Sequence, residues 1–385
     1  MRIGILSPEF PPRCSGVADH SAKLGSVLIH YSQSVCVWTA EKSPKAFADL
    51  KVVSIESPWG WGTLGRLIGS MKEWRPDVLV FQYTPQSFAP KTLGVWLSFP
   101  VWTLCLRLMT KARVSIIAHE VNYPIEGTLR GLLLGVPQLI QFCLLALVAD
   151  SIFFTTETLW LRVHKWMFWR KGIYWLPVGA TIESKAIESK DNRESLSPRA
   201  TSQEKLLLHF GGAHPTHSIE HILAAYKSTV SALGAQFVKL AFVGIETQEL
   251  EKAFEKIGLT RIPEGVFALG WLSEDQVSEW VNKADLILAP FLDGISTRRS
   301  SAMTCFQHGK AVLTTFGTSS GGSIPWEEFC CAPPVHAIEE FAQKAVSLLS
   351  NPDHLLKLGD AAKRNYDNRF SWFLTTQQFI PRIEK

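Results

Sequence analysis

Short apolar runs alternate with longer stretches of helical period along the chain. In the first half, Ile3–Ser7, Val35–Thr39, Val78–Gln82, Ser115–Ala118, Ile152–Thr155 and Tyr174–Pro177 are runs of four or five residues rich in β-branched and aromatic side chains. Each reads as a buried strand. Strands that alternate with helices argue for a parallel sheet wrapped by helices. From Ser184 to Gln203 the sequence turns polar, with Lys190-Asp191-Asn192-Arg193-Glu194 at its centre, and carries no apolar period. That stretch reads as a linker or loop. A second series follows, with strands predicted at Leu206–Phe210, Lys239–Val243, Val266–Leu269, Leu286–Ala289 and Ala311–Thr314, and helices such as Ile219–Leu233 and Glu274–Lys283 between them. The expected fold is α/β, with two Rossmann-like doubly wound domains, residues 1–183 and 204–365, facing each other across a cleft. Ligands of such sheets bind at the carboxyl ends of the strands.

Two further segments are apolar enough to resemble membrane spans, Leu93 to Met109 and Gly131 to Ala149. The 19 residues of the second carry no formal charge, and length alone allows a span. Pro137, Gln138 and Gln141 interrupt it, however, and it runs directly into the strand-like Ser151-Ile152-Phe153-Phe154. A buried or interfacial helix is the expectation.

With 385 residues, 46% hydrophobic and 19% charged, the chain can fill the cores of two domains. The net charge of +4 hides an asymmetry: residues 1–180 hold 18 Lys and Arg against 11 Asp and Glu, a balance of +7, which leaves −3 for the rest. Ten of the fourteen tryptophans also lie in that basic half. Basic charge interleaved with Trp suits an anionic, amphipathic surface such as a membrane interface, although any single Trp is as readily a core aromatic. The segment Trp160-Leu161-Arg162-Val163-His164-Lys165-Trp166-Met167-Phe168-Trp169-Arg170-Lys171 concentrates the pattern. No nucleic-acid partner is expected. The seven cysteines show no CxxC spacing, which speaks against a disulfide framework or a zinc site and favours a reducing cytoplasm, with peripheral contact on the inner face of the membrane. Met1-Arg2-Ile3-Gly4-Ile5-Leu6 meets Pro8, Pro11 and Pro12 too soon for a signal peptide and reads as a first strand.

Candidate chemistry sits at the strand-to-helix junctions. After the first strand, Pro8 to Asp19 leads into a helix predicted over His20–Ile29, and Gly16 would let backbone approach a ligand beside a helix N-terminus. Leu208-His209-Phe210-Gly211-Gly212 repeats that logic in the second half, again as ordinary turn chemistry when taken alone. The richest junction is Pro290-Phe291-Leu292-Asp293-Gly294-Ile295-Ser296-Thr297-Arg298-Arg299-Ser300-Ser301. An acidic residue, a glycine, hydroxyls and two arginines before a helix are what a sugar diphosphate requires, though arginines at a helix start are commonly solvent-facing. His119, followed by Glu120, ends a predicted strand where it could meet a transferred sugar or an acceptor hydroxyl. No His and carboxylate cluster has ligand spacing, so neither a metal nor another cofactor is expected.

Together, the Pro-rich opening loop with Ser15-Gly16-Val17-Ala18-Asp19, Phe81-Gln82-Tyr83-Thr84-Pro85, Ala118-His119-Glu120, Pro177-Val178-Gly179-Ala180, Phe210-Gly211-Gly212, Leu269-Gly270-Trp271-Leu272 and Asp285 through Thr315 resemble glycosyltransferase family 4, of GT-B architecture. Phe370-Ser371-Trp372 resembles the start of the family's C-terminal helix, which implies that residues 366–385 cross back to the first domain. The resemblance implies a retaining transferase that moves a sugar from a nucleotide-sugar donor, bound by the C-terminal domain, to a glycan or lipid-linked acceptor in polysaccharide or glycoconjugate biosynthesis. It implies Asp293 on sugar hydroxyls. Family members commonly carry a second acidic residue eight positions on, where this chain has Ser301, and an Arg and a Lys on the loop after the Phe210 strand, where it has Gly212 and His217. Some cation must replace that pair against the charge that develops on the leaving diphosphate. Arg298 and Arg299 are the expected replacements, with His217 as a third donor and the helix start at Ser296–Ser300 adding backbone N–H groups. Those departures keep two other readings open: a sugar-nucleotide-binding partner protein of low activity, and a GT-B nucleotide-sugar epimerase.

Overall fold

The computed structural model describes all residues except 32, 48, 57, 58, 60, 87, 89–97, 124, 126, 185–203, 213, 385 and the side chain of 130. The polar stretch 184–203 and the beginning of the Leu93 to Met109 segment therefore lie almost wholly, and partly, outside the described residues. Two compact units divide the chain: Met1–Pro177 with Trp372–Lys385, and Val178–Ser371.

The first unit carries, in chain order, β1 (Arg2–Leu6), α1 (Gly16–His30), β2 (Ser34–Thr39), β3 (Lys51–Ser54), α2 (Trp61–Trp74), β4 (Val78–Tyr83), α3 (Ser98–Thr110), β5 (Arg113–Ala118), α4 (Leu129–Val148), β6 (Ser151–Phe154), α5 (Glu157–Trp166) and β7 (Ile173–Trp175). Its sheet runs β3-β2-β1-β4-β5-β6-β7, and every pairing is parallel. Parallel strands covered on both faces are largely apolar, and all six positions of β4 are buried, Gln82 among them. Leu79, Phe81 and Tyr83 point into the core built with α2, α3 and α4, while Val78 and Val80 point into the opposite core with α1.

The second unit carries β8 (Lys205–Phe210), α6 (Ile219–Leu233), β9 (Val238–Val243), α7 (Thr247–Lys256), β10 (Val266–Ala268), α8 (Glu274–Lys283), β11 (Leu286–Ala289), α9 (Ser300–Gln307), β12 (Val312–Thr314), α10 (Ile338–Leu349) and α11 (Pro352–Arg369). The sheet order β10-β9-β8-β11-β12 is again parallel. The α/β reading is thus the observed one in both units. The last helix, α12 (Trp372–Ile383), belongs to the first unit, where Phe379 lies 4.8 Å from Phe153 and Arg382 covers the Tyr174 ring at 4.6 Å.

Boundaries differ from the apolar pattern where local capping decides them. The first helix starts four residues earlier than its period announces, because Ser15 Oγ accepts the Ala18 N–H at 3.1 Å and so makes Gly16 the first helical residue. Gly16 is therefore the first residue of α1, at the helix N-terminus, with nothing within 4 Å of an added Cβ. The 20-residue α4 takes its cap from Thr128 and contains Pro137; 39% of its most apolar 18-residue window is buried, so of the two expectations it is not the fully buried helix.

Candidate functional site

A doubly wound sheet binds ligands where its chain order reverses, because the loops leaving the two strands there diverge and open a crevice. In the second unit that point lies between β8 and β11. The loops that leave them are tied together: His217 and Phe291 form an antiparallel bridge, the Leu292 N–H donates to Thr216 O at 2.8 Å, and the Ser218 N–H donates to Pro290 O at 3.1 Å.

On that tie stands a charged cluster. Arg298 Nη2 donates to Asp293 Oδ2 at 2.8 Å, Arg299 Nη2 donates to Asp293 Oδ1, and Ser319 Oγ donates to Asp293 Oδ2 at 2.9 Å. Arg299 Nη1 also reaches Thr216 Oγ1 at 3.1 Å, and its guanidinium lies 4.4 Å from the centre of the Phe291 ring. Burial alone would raise the Asp293 pKa, but Arg299, Arg298 and the Ser319 hydroxyl outweigh it and hold the carboxyl below its usual value. One anion against two guanidiniums leaves the cluster a net cation. The two arginines differ: the Arg298 side chain is 26% exposed and that of Arg299 only 11%.

The floor beside this cluster is glycine. A Cβ on Gly211 would come within 2.6 Å of His217 Cε1, and one on Gly212 would sit 3.6 Å from the Trp271 ring, which is half exposed. Gly294 is held at φ 88° because the turn after β11 lies against the backbone of Gly317, in the loop that leaves β12.

His217 does not add positive charge. Burial, then the neighbouring His209, Arg299 and His214, push its pKa down to about 2, so the ring is neutral. Its Nδ1 lies 3.1 Å from Gly212 O and so carries the proton, which leaves Nε2 an acceptor in this network. The expected donation from the helix start is also reduced. The Arg299 N–H bonds Ser296 O and the Ser300 N–H bonds Arg298 O within the turn that precedes α9, while Ser296 itself is buried and its hydroxyl has no partner among the described residues. Ser300 and Ser301 open α9 half buried.

In the first unit the reversal lies between β1 and β4, and here His119 stands at the end of β5. Its Nε2 lies 2.8 Å from Gln82 Oε1, which also meets His20 Nδ1 at 3.2 Å, and the two imidazoles pack edge to face at 5.1 Å. Gln82 thereby fixes the tautomer of both rings. His119 and Gln82 belong to motifs legible in the sequence, but His20, Thr216 and Ser319 carry no such signal: a hydroxyl or a helical His becomes part of a site only through the fold.

Burial holds His20 and His209 neutral, with pKa values lowered to about 4, while in the unfolded chain they titrate at about 6.5. The stability they contribute is fully present above pH ~6.5 and is lost as pH falls toward 4, since only the unfolded chain takes up the protons there. Melting midpoints should fall by about 10 °C or more between pH 7 and 4.5. His20→Phe should flatten that slope in the first unit; an unchanged slope would mean that other groups dominate it.

The same fold occurs in solved glycosyltransferase structures. Sucrose-phosphate synthase from Thermosynechococcus elongatus aligns over 99% of this chain and 97% of its own, with a TM-score of 0.74 at 14% identity. HepE from Anabaena, in complex with UDP and glucose, aligns over 100% and 99% with a TM-score of 0.72 at 11% identity. WaaG, a glycosyltransferase involved in lipopolysaccharide biosynthesis, aligns over 98% of both chains with a TM-score of 0.68 at 14% identity. No protein-family model matches the sequence, and no relative is found among curated proteins.

Proposed function

We propose that this chain is a glycosyltransferase that moves a sugar from a nucleotide-sugar donor to a glycan or lipid-linked acceptor. The carrying observation is the Asp293, Arg298 and Arg299 cluster, a net cation at the chain reversal of the second sheet. Similarly folded HepE has been captured with UDP and with UDP-glucose, which supports a uridine nucleotide as the first donor to try. In the reaction the bond from the anomeric carbon to the β-phosphate oxygen breaks, its electron pair stays on the diphosphate, and the acceptor hydroxyl oxygen bonds the same carbon while its proton passes to the departing phosphate oxygen. Attack on the face the phosphate leaves retains configuration and needs no protein nucleophile. Arg298 and Arg299 stabilise the departing charge without a metal, and electrostatic help of this kind in a partly dry site is commonly the largest catalytic term. Gly211 and Gly212 let the donor approach the backbone, and Trp271 offers the base an apolar face; His119, in the first unit, is offered to an acceptor hydroxyl. The acceptor side works in the cytoplasm at the inner face of an anionic membrane, as part of polysaccharide or glycoconjugate assembly.

A melting-point screen with nucleotides and nucleotide sugars tests the donor, because a ligand of the folded state alone must raise the midpoint. Hydrolysis assays with and without acceptor then separate the readings: a transferase needs acceptor, an epimerase does not, and a binding protein turns over nothing.

Both Asp293 oxygens are already engaged by the arginines and Ser319, which favours a second role for this carboxylate as the anchor of the arginines rather than a ligand of sugar hydroxyls. Asp293→Asn should then weaken UDP and UDP-glucose by the same factor, about tenfold. A loss confined to discrimination among sugars would instead put the carboxylate on the sugar.

A further inference from the structure

The surface of α4 is divided sharply. Leu129, Leu132, Leu133, Val136, Ile140, Leu144 and Leu147 are all exposed, by 37 to 74%. At about 100° per residue they fall on one arc of roughly 120°. The opposite arc carries Gln138, Gln141, Phe142, Leu145 and Ala146, packed into the unit. Beside it α3, which packs against α4, exposes Val101, Leu104, Leu108 and Met109 while burying Phe99, Trp102 and Leu106. These exposed positions of α3 and α4 carry no charge and no hydrogen-bonding group.

A rim of a different kind meets the C-terminal end of α4. Arg107 of α3 donates to Val148 O and pairs with Asp150 at 2.8 Å, and Arg170, past the end of α5, donates to Ala149 O. The segment that Arg170 fastens there exposes Phe168 by 82%, Trp169 by 52% and Trp166 by 38%. Arg162, Lys165 and Lys171 are exposed on the same segment. Its inward residues, Leu159, Val163 and Met167, belong to the core that α3 and α4 share.

We infer that the α3 and α4 face inserts its aliphatic stripe into the acyl boundary of an anionic bilayer, with α4 lying in the membrane plane and the Trp166 to Lys171 segment at the headgroups. The inference deepens the membrane contact proposed above and rests on it, but not on the donor chemistry. It moves the main contact from the basic, tryptophan-rich segment to the apolar helices next to it. A span is excluded by the buried arc of α4, although 20 residues at 1.5 Å each would cover about 30 Å. Charge and composition choose lipid over a second copy of this chain. The centre of a protein interface is rich in aromatic residues and arginine, whereas here the centre is aliphatic and the aromatics and cations lie at its edge, as at a membrane.

Flotation of the full chain with phosphatidylglycerol and phosphatidylcholine vesicles, at low salt and at about 1 M salt where screening acts within about 3 Å, tests this. Wild type should keep a measurable bound fraction at high salt, since apolar insertion is not screened. The double variant Leu133→Asp with Ile140→Asp, at exposed sites, should lower the high-salt partition about tenfold or more while leaving melting and gel-filtration behaviour unchanged. Leu133→Ser with Ile140→Ser serves if the acidic pair does not fold. Equal partition of variant and wild type, or a wild type that detaches completely at high salt, would overturn the inference. So would a dimeric wild type that the variant splits into monomers with vesicle binding intact. The midpoint shift produced by UDP-glucose, read on the same samples, reports the donor site separately: it should be the same in wild type and variant, and its absence from both would remove the donor reading while leaving the membrane face standing.

Discussion

Arg299→Ala is expected to remove donor binding and lower the melting midpoint together, whereas Arg298→Ala should reduce turnover with little effect on folding. The difference follows from what each guanidinium touches. Arg299 is nearly buried, lies over Phe291, bonds Thr216 on the β8 loop and pairs with Asp293, so its removal opens the seam between the two loops and leaves the carboxylate with one partner fewer. A cost of about 2–3 kcal/mol is expected from the lost stacking, hydrogen bond and pair. Arg298 is more exposed and its main anchor is the Asp293 pair, so its removal should cost no more than about 1 kcal/mol of stability. Turnover should nevertheless fall about a hundredfold or more in both, because in the proposed reaction each guanidinium meets charge that grows on the diphosphate as the bond breaks. Arg299→Lys keeps the charge but loses the planar fork, and should recover less than half of the binding free energy. Steady-state kinetics beside thermal melts decide the matter, and wild-type turnover in Arg298→Ala would remove that residue from the site.

Much of this arrangement is legible in the residues, and the gaps have physical causes. Helices α6 and α8 have the bounds their period and caps announce, since Ser273 with Gln276 forms a capping box and Gly234 follows the last turn of α6. Strand β3 is not legible: it is a four-residue edge strand whose Lys51 and Ser54 are exposed, so it shows neither an apolar run nor clean alternation. The Asp293 to Ser301 junction is visible as a chemical pattern, but its internal pairing is not. In sequence, Asp293 and the arginines look like separate ligands for sugar and phosphate; in the fold the turn at Gly294 brings them onto one another. His217 looks like a spare cation, and only its burial beside His209 and Arg299 makes it neutral. The amphipathic division of α3 and α4 is hidden for another reason: with a mean this apolar and one arginine in each helix, the sequence signal is the same whether one face or both are buried.

Gly294→Ala should be the most damaging single methyl group in the second unit. The residue is at φ 88°, a region in which a side chain is strained, and an added Cβ would fall on Gly317 N and Ser320 Oγ and lie 2.8 Å from Gly317 Cα. Backbone cannot retreat as a flexible side chain would. The turn is moreover held on both sides, by Ile295 N–H to Thr315 O at 2.8 Å and Ser319 N–H to Asp293 O at 2.8 Å, so relief requires the β11 and β12 loops to part. Parting them moves the Asp293 carboxylate away from Ser319 and takes the arginines with it. A loss of about 3–5 kcal/mol is expected, with a midpoint lower by about 10 °C and no shift on adding UDP-glucose. Gly65→Ala is the matched control, because Gly65 lies inside α2 with nothing within 4 Å of an added Cβ. There the same methyl group should raise stability by about 0.5–1 kcal/mol through helix propensity. Calorimetric melts of the two variants, with and without UDP-glucose, would contradict this account of the junction if Gly294→Ala melted like wild type and kept its ligand shift.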